Sequence, residues 1–208
     1  MKKSKRARKS NSWKIKQHRD QFFKKSKTLG LRSRASFKLI EINDKFKFLK
    51  KNSNLLDLGA FPGGWSQIAS KIITNGKILS IDIKKIQPIK NVKFIQCDIY
   101  DLKKRDEIIK YFEGNLDVVL SDMAANTTGN KSLDSIRTNQ LCAEVINFSS
   151  TILKKKGVMV SKVFMGEDFL EVKNLAKSLF KNVNFFKPES SRSESKETYL
   201  HCEFLKTL

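Results

Sequence analysis

Four charged residues stand where a folded chain rarely leaves charge without a purpose: Lys38, Asp122, Lys162 and Glu197. Lys162 stands at the close of the apolar run Val158–Val163, with only Val163 after it, Asp122 directly follows Leu116–Ser121, and Glu197 directly precedes Thr198–Leu205. Lys38 flanks an apolar stripe of helical spacing, and taken alone it reads as an ordinary solvated lysine. Brought together, two cations and two carboxylates suit a reaction at a weakly acidic hydroxyl. A lysine there accepts the proton if it is neutral; as a cation it steadies the oxygen and orients its lone pair.

A second set of residues looks built for a ligand. The segment Asp57-Leu58-Gly59-Ala60-Phe61-Pro62-Gly63-Gly64-Trp65-Ser66 reads as a strand, a glycine turn and the start of a helix, an arrangement that lets a ligand approach the backbone closely. It is not the dinucleotide fingerprint G-x-G-x-x-G, because after Gly59 the next glycines fall at 63 and 64. Phe61 and Pro62 also crowd the place a pyrophosphate would need, so a dehydrogenase is disfavoured. Asp82 closes the second apolar run, where a carboxylate can accept both hydroxyls of a ribose. Asp98 follows the third and can accept from an adenine amino group. Each acid singly is also a plausible helix cap or turn residue; the set is what points to a nucleoside ligand.

The elements that must position these residues follow from hydrophobic period. Asn54–Leu58, Lys77–Ile81, Val92–Gln96, Leu116–Ser121 and Val158–Val163 read as buried strands. Helices are predicted over Ser36–Lys47 with Ser36 as N-cap, Gly64–Thr74, Leu102–Phe112, Asp134–Leu153 and Glu167–Leu179. Two strands, Val183–Phe186 and Thr198–Leu205, close the chain. Alternation of this kind predicts an α/β fold with helices on both faces of a mostly parallel seven-stranded sheet, and two strands in succession at the end predict an antiparallel last strand beside the fifth. Asp122 and Lys162 then meet at the carboxyl edge of the sheet, and Glu197 reaches the same edge.

Length and charge set the outer limits. The 208 residues suit one domain plus an arm, and the net charge of +21 calls for a polyanionic partner. Placement strengthens this, since residues 1–34 hold fourteen Lys and Arg and one acid, Asp20. Residues 1–12 are expected to be a disordered basic arm, and residues 13–208 one domain opening with a helical RNA-contacting segment. Arg32, Arg34, Lys84 and Lys85 are the expected phosphate contacts within it. An organellar transit peptide is a weaker reading, because Met1–Arg19 is mostly Lys rather than Arg-rich and nearly devoid of apolar residues. Cys97, Cys142 and Cys202 lie far apart, so neither a zinc site nor a disulfide framework is expected, and no metal. No run approaches the ~18 apolar residues of a membrane span. A soluble, cytoplasmic, monomeric protein is expected.

In order and context, Lys38, Asp122, Lys162 and Glu197 resemble the Lys-Asp-Lys-Glu tetrad of FtsJ-type ribose 2′-O-methyltransferases. The resemblance runs from about Ser12 to Lys206. The stretches Gly30–Leu39, Asp57–Ser66, Ser121–Asn126, Ser161–Glu167, Lys187–Arg192 and Glu197–Tyr199 carry it. It implies a Rossmann-like methyltransferase fold, S-adenosylmethionine as methyl donor, cofactor contact by Gly63, Trp65, Asp82, Asp98 and Asp122, and catalysis centred on Lys162. Phe61 stands where the family usually has Ala, and Ala125 where it usually has Pro. The basic N-terminal stretch resembles the bacterial branch, which implies a uridine of large-subunit (23S-type) ribosomal RNA in an assembled or late-assembling 50S particle. A tRNA anticodon-loop ribose is the alternative target. A catalytically silent assembly factor is the alternative class, against which the intact tetrad speaks; a small-molecule methyltransferase would not need the basic arm.

Overall fold

The computed structural model describes residues 20–206. Among the described residues six helices and seven strands follow in the order α1 Gln21–Thr28, α2 Ala35–Phe46, β1 Leu55–Leu58, α3 Gly64–Ile72, β2 Ile78–Asp82, β3 Lys93–Gln96, α4 Leu102–Phe112, β4 Leu116–Ser121, α5 Lys131–Ile152, β5 Leu153–Phe164, α6 Phe169–Leu179, β6 Phe180–Phe186 and β7 Glu197–Leu205. The strands form one sheet in the order β3-β2-β1-β4-β5-β7-β6. β1 pairs in parallel with β2 and β4, as do β2 with β3 and β4 with β5. β7 runs antiparallel between β5 and β6. The order reverses at β1, and ligands of open α/β sheets bind at such a point, beyond the carboxyl ends of the strands.

Period-2 alternation divides the apolar residues between two cores. Leu56, Leu58, Val119, Met159 and Cys202 face α4, α5 and α6 through Ile108, Val145 and Val172. Leu55, Val118, Leu120, Val158, Val160 and Tyr199 face α2 and α3 through Leu39, Ile42, Trp65 and Ile68. Both faces are thereby covered, as a parallel sheet requires. The inner strands read as unbroken apolar runs for that reason.

The predicted strands are all present, and most boundaries move by one to three residues. The largest difference is β5, which begins at Leu153 rather than Val158. The added Lys154–Lys156 are exposed and charged, and Lys154 Nζ pairs with Asp117 Oδ1 at 2.9 Å, so this part of the strand carries no apolar signal to read. Ser36 does not cap α2. It lies inside the helix, fully buried, and its hydroxyl donates to the Gly64 carbonyl at 3.2 Å, tying α2 to the start of α3. α1 is capped by Asp20, whose Oδ1 accepts the amides of Phe22 and Phe23 at 3.1 and 3.2 Å. The expected disordered arm, residues 1–12, lies outside the described residues.

Candidate active site

The same alternation decides which side chains meet at the carboxyl edge. Val118 and Leu120 face α2 and α3, so Asp122, two residues on, projects from that face; Val158 and Val160 place Lys162 likewise. In the antiparallel register Lys162 stands opposite Tyr199 and Phe164 opposite Glu197, which brings Tyr199 and Glu197 to the same side. Lys38 precedes Leu39 on α2 and arrives from the covering helix. Four residues scattered over 160 positions of sequence therefore converge.

They converge as two interlocked ion pairs. Lys162 Nζ lies 2.7 Å from Asp122 Oδ1 and donates to the Asp122 main-chain carbonyl at 2.8 Å. Lys38 Nζ lies 2.7 Å from Glu197 Oε1. The side chains of all four are largely withdrawn from water, 9–19% exposed. Burial raises the Asp122 carboxyl, but the Lys162 and Lys38 cations outweigh it and hold it below the usual carboxylate range. Burial acts the same way on Glu197 and is likewise outweighed, by Lys38 first and Lys162 next. Each carboxylate thus feels both lysines, and the group behaves as one electrostatic unit.

Tyr199 belongs to this unit, though the sequence reading assigned it no role. It is fully buried, and its hydroxyl donates to Asp122 Oδ1 at 2.6 Å. Burial, with Asp122 and Glu197 close by, pushes its phenol well above the ordinary value, so it stays a donor. Its ring lies 5.6 Å from Lys38 Nζ and 5.6 Å from the Trp65 ring. The available signal was its place two residues after Glu197 on one strand face.

Beside the tetrad lies a cavity of about 600 Å³, lined by Gly59, Asp82, Asp98 and Asp122, by the apolar Phe61, Ile83, Ile99, Met123 and Leu141, and by Tyr100, Arg137 and Gln140. Asp82 accepts the Phe61 amide at 2.8 Å and the Lys84 amide at 2.7 Å, one on each oxygen, so each keeps a lone pair for a ligand hydroxyl. Asp98 accepts the Tyr100 amide at 3.0 Å on one oxygen, leaving the other for a ligand donor. Ile83 and Tyr100, half or more exposed, stand next to these acids and offer faces to a flat ring. Carboxylates able to accept from ribose hydroxyls and from an amino group, between apolar walls, suit a nucleoside.

Gly63 and Trp65 do not line the cavity. Gly63, at φ +103°, turns the chain into α3, and a Cβ there would meet the Arg32 side chain and Ile89 at 3.0 Å. The Trp65 side chain is buried in the core and donates through Nε1 to the Ala35 carbonyl at 2.8 Å, so only its backbone is free for a ligand. Behind the turn, the buried Asp57 accepts from Ser66 Oγ at 2.5 Å, and that hydroxyl also lies 2.7 Å from Ser80 Oγ. Burial drives the Asp57 carboxyl up to about 7, against the opposing Ser66 hydrogen bond.

Two of the four expected RNA-contacting cations are engaged within the protein. Arg32 donates to the carbonyls of Gln87 and Pro88 at 2.7 Å each and of Pro62 at 3.4 Å, bracing the cavity loops. Arg34 binds Asp20 and the Ser190 carbonyl. Lys84 and Lys85 are exposed, Lys84 with its ammonium 5.3 Å from the Phe61 ring. Among the described residues, no group of three or more His, Cys, Asp or Glu could hold a metal, and no helix is long and apolar enough to cross a membrane.

Comparison with known proteins agrees with this geometry. The FtsJ-like methyltransferase family matches residues 31–204. A protein of Pelagibacter ubique named ribosomal RNA large subunit methyltransferase E is 46% identical over 202 residues, covering 97% of this chain and all of that one. A Rickettsia akari protein of the same name is also 46% identical, over 94% of this chain and 89% of its own length. Among solved structures, a ribosomal RNA methyltransferase from Plasmodium falciparum superposes with a TM-score of 0.74 at 34% identity, over 84% of this chain and 98% of its own. A fibrillarin from Methanococcus jannaschii, at 16% identity and a TM-score of 0.54, shares the fold. With the family matched over most of its length and the tetrad assembled at the switch-point edge, the chain belongs to the FtsJ-like methyltransferases.

Proposed function

We propose that the protein transfers a methyl group from S-adenosylmethionine to the 2′-hydroxyl of a ribose, that of a uridine, in large-subunit ribosomal RNA. The observation that carries the chemistry is the Lys162–Asp122 pair, whose Asp122 also lines the cavity that holds Asp82 and Asp98, coupled electrostatically to the Lys38–Glu197 pair. The ribosomal target rests on what the similar proteins are named and on the basic N-terminal stretch.

S-adenosylmethionine, when bound, would supply an electrophilic methyl on a sulfonium, its sulfur–methyl bond breaking as the carbon–oxygen bond forms and S-adenosylhomocysteine leaving as the neutral thioether. The residues suited to hold it are Asp82 for the ribose hydroxyls, Asp98 for the adenine amino group, and the free amides at the N-terminus of α3. The chain's own task is then to place one hydroxyl oxygen in line with that methyl and to keep water out. Lys162 Nζ is held between Asp122 Oδ1 and the Asp122 carbonyl, and as an orienting donor it keeps one N–H for the incoming oxygen. That N–H turns a lone pair of the oxygen towards the methyl. As the carbon–oxygen bond forms, the hydroxyl proton passes to a carboxylate of the tetrad, the role best suited to Glu197. Lys38 holds Glu197, and Tyr199 holds Asp122.

A pH–rate profile of the methyl-transfer step at saturating cofactor separates this account from a neutral-lysine base. With both tetrad carboxylates held below the usual carboxylate range, the orienting role of Lys162 predicts a transfer rate to which the tetrad adds no inflection near pH 7. The Asp57 carboxyl, which burial raises to about 7, is the group that gives such an inflection, through the glycine turn. An inflection near neutrality that survives Asp57→Asn contradicts the orienting role.

A further inference from the structure

Arg34 and Arg192 meet at a single carboxylate oxygen. Asp20 Oδ2 is bound by Arg34 Nη1, and Arg192 Nε lies 3.8 Å from it. The side chains of Asp20 and Arg34 are largely buried, at 10% and 18% exposure, while Arg192 opens to solvent at 42%. Burial, and after it the neighbouring Arg192 charge, holds the Arg34 guanidinium below its usual value. Two guanidiniums converging on one anion make the arrangement by which proteins hold phosphate, and Asp20 is the only acid in the first 34 residues.

The site also has donors that Asp20 does not use. Arg34 Nε and the hydroxyls of Ser190 and Ser191 are buried and have no hydrogen-bond partner among the described residues. Ser190 is tied to Arg34 through its main-chain carbonyl, and its main-chain amide is held by Glu41 Oε1 at 3.1 Å. Buried donors without acceptors are costly and usually signal a missing ligand or water. An anion with more acceptor oxygens than a carboxylate would satisfy them. The place is suggestive too: Arg34 precedes Lys38 by one helical turn, and Glu197 and Tyr199 both act on its charge.

We propose that Arg34, Arg192 and the Ser190–Ser191 loop form a subsite for an RNA backbone phosphate beside the tetrad, and that Asp20 occupies it as an internal stand-in when RNA is absent. The inference rests on the reading of the protein as an RNA ribose methyltransferase and adds a register contact and a competitor. Phosphate entry displaces Asp20, removes the cap of α1 and frees the basic segment that begins there to follow the strand. Asp20 thus makes weak or misplaced RNA compete for entry next to the reacting oxygen.

The test uses the full chain and a labelled oligouridylate, with affinity read by anisotropy across a salt series. Asp20→Asn keeps a good helix cap but removes the competing charge, so it should tighten binding about three- to tenfold. Arg192→Ala, at an exposed position, should weaken binding and lower the salt slope by about 0.7, the loss of one single-strand phosphate contact. In the double variant the gain from Asp20→Asn should disappear. Thermal melting of each variant checks that the fold is kept. Unchanged or weaker binding by Asp20→Asn overturns the proposal, as does a gain that persists without Arg192. Methyl transfer to ribosomal subunits by the unaltered protein is measured alongside: its absence removes the functional reading, whereas the oligonucleotide series still judges the subsite.

Discussion

Tyr199 and Asp57 show what single residues contribute beyond the tetrad. Tyr199 takes one lone pair of the oxygen that also binds Lys162, so Tyr199→Phe leaves the ion pair in place but unbraced. One hydrogen bond to a charged group is worth about 1.5–3 kcal/mol, so the methyl-transfer rate should fall roughly ten- to 150-fold with cofactor affinity unchanged. A cofactor affinity that falls in step would place Tyr199 in the binding site instead. Asp57 and His201 govern stability. Stacked 3.9 Å from the Phe46 ring, His201 is 1% exposed, and burial lowers it from 6.5 to about 4. Between those values the unfolded chain binds the proton and the folded one does not, so stability falls as pH drops from 6.5 to 4, by about 3 kcal/mol. Asp57 is raised from 3.8 to about 7 and acts in the opposite sense: its stabilisation is full below pH 3.8 and is lost as pH rises to 7, by about 4 kcal/mol. The two nearly cancel. Denaturant melts from pH 4 to 7 should therefore show His201→Phe losing stability with rising pH relative to the unaltered protein and Asp57→Asn gaining it; parallel curves would contradict both assignments.

At the scale of elements, the cavity depends on loops that are held rather than on loops that are merely short. Arg32 ties Gln87 and Pro88, beyond β2, to Pro62 in the glycine turn, and Gly59, at φ +74°, would drive a Cβ to within 2.1 Å of Met123 Cγ. Arg32→Ala should weaken cofactor binding about tenfold, a loss of ~1.4 kcal/mol by calorimetry, because three carbonyls lose their common donor. An effect on RNA affinity alone would restore Arg32 to the phosphate contacts expected from sequence. That expectation failed to anticipate the bracing because hydrogen bonds from Arg32 to carbonyls 30 to 56 residues away leave no local pattern. The same holds for the charged start of β5 and for Ser36, whose partner, the Gly64 carbonyl, is distant in sequence. By contrast, the strand runs, the glycine turn and the acids after successive strands were legible, because period-2 burial and strand-end position are local properties. Lys162 and Asp122 could be placed at one edge on that basis alone, and Tyr199 was overlooked because a buried aromatic on an apolar strand face looks like any core residue.

On the proposed function, the cavity at the sheet's switch point takes the cofactor, and the end where α1, α2 and the loop before β7 meet takes the RNA. Its formal charge of +21 is concentrated towards the N-terminus, so association with RNA should weaken steeply with salt, and removal of residues 1–19, with nine Lys and Arg, should flatten that dependence. A slope unchanged by the truncation would assign RNA binding to residues 20–208 alone. The central claim concerns what the assembled tetrad does. It is tested most directly by incubating the protein with methyl-labelled S-adenosylmethionine and large ribosomal subunits, digesting the RNA and locating the label, in parallel with Lys162→Ala. The account predicts label on a ribose 2′-oxygen of large-subunit RNA, and in Lys162→Ala its loss with cofactor binding retained; label on a base, or undiminished ribose methylation by Lys162→Ala, would contradict it.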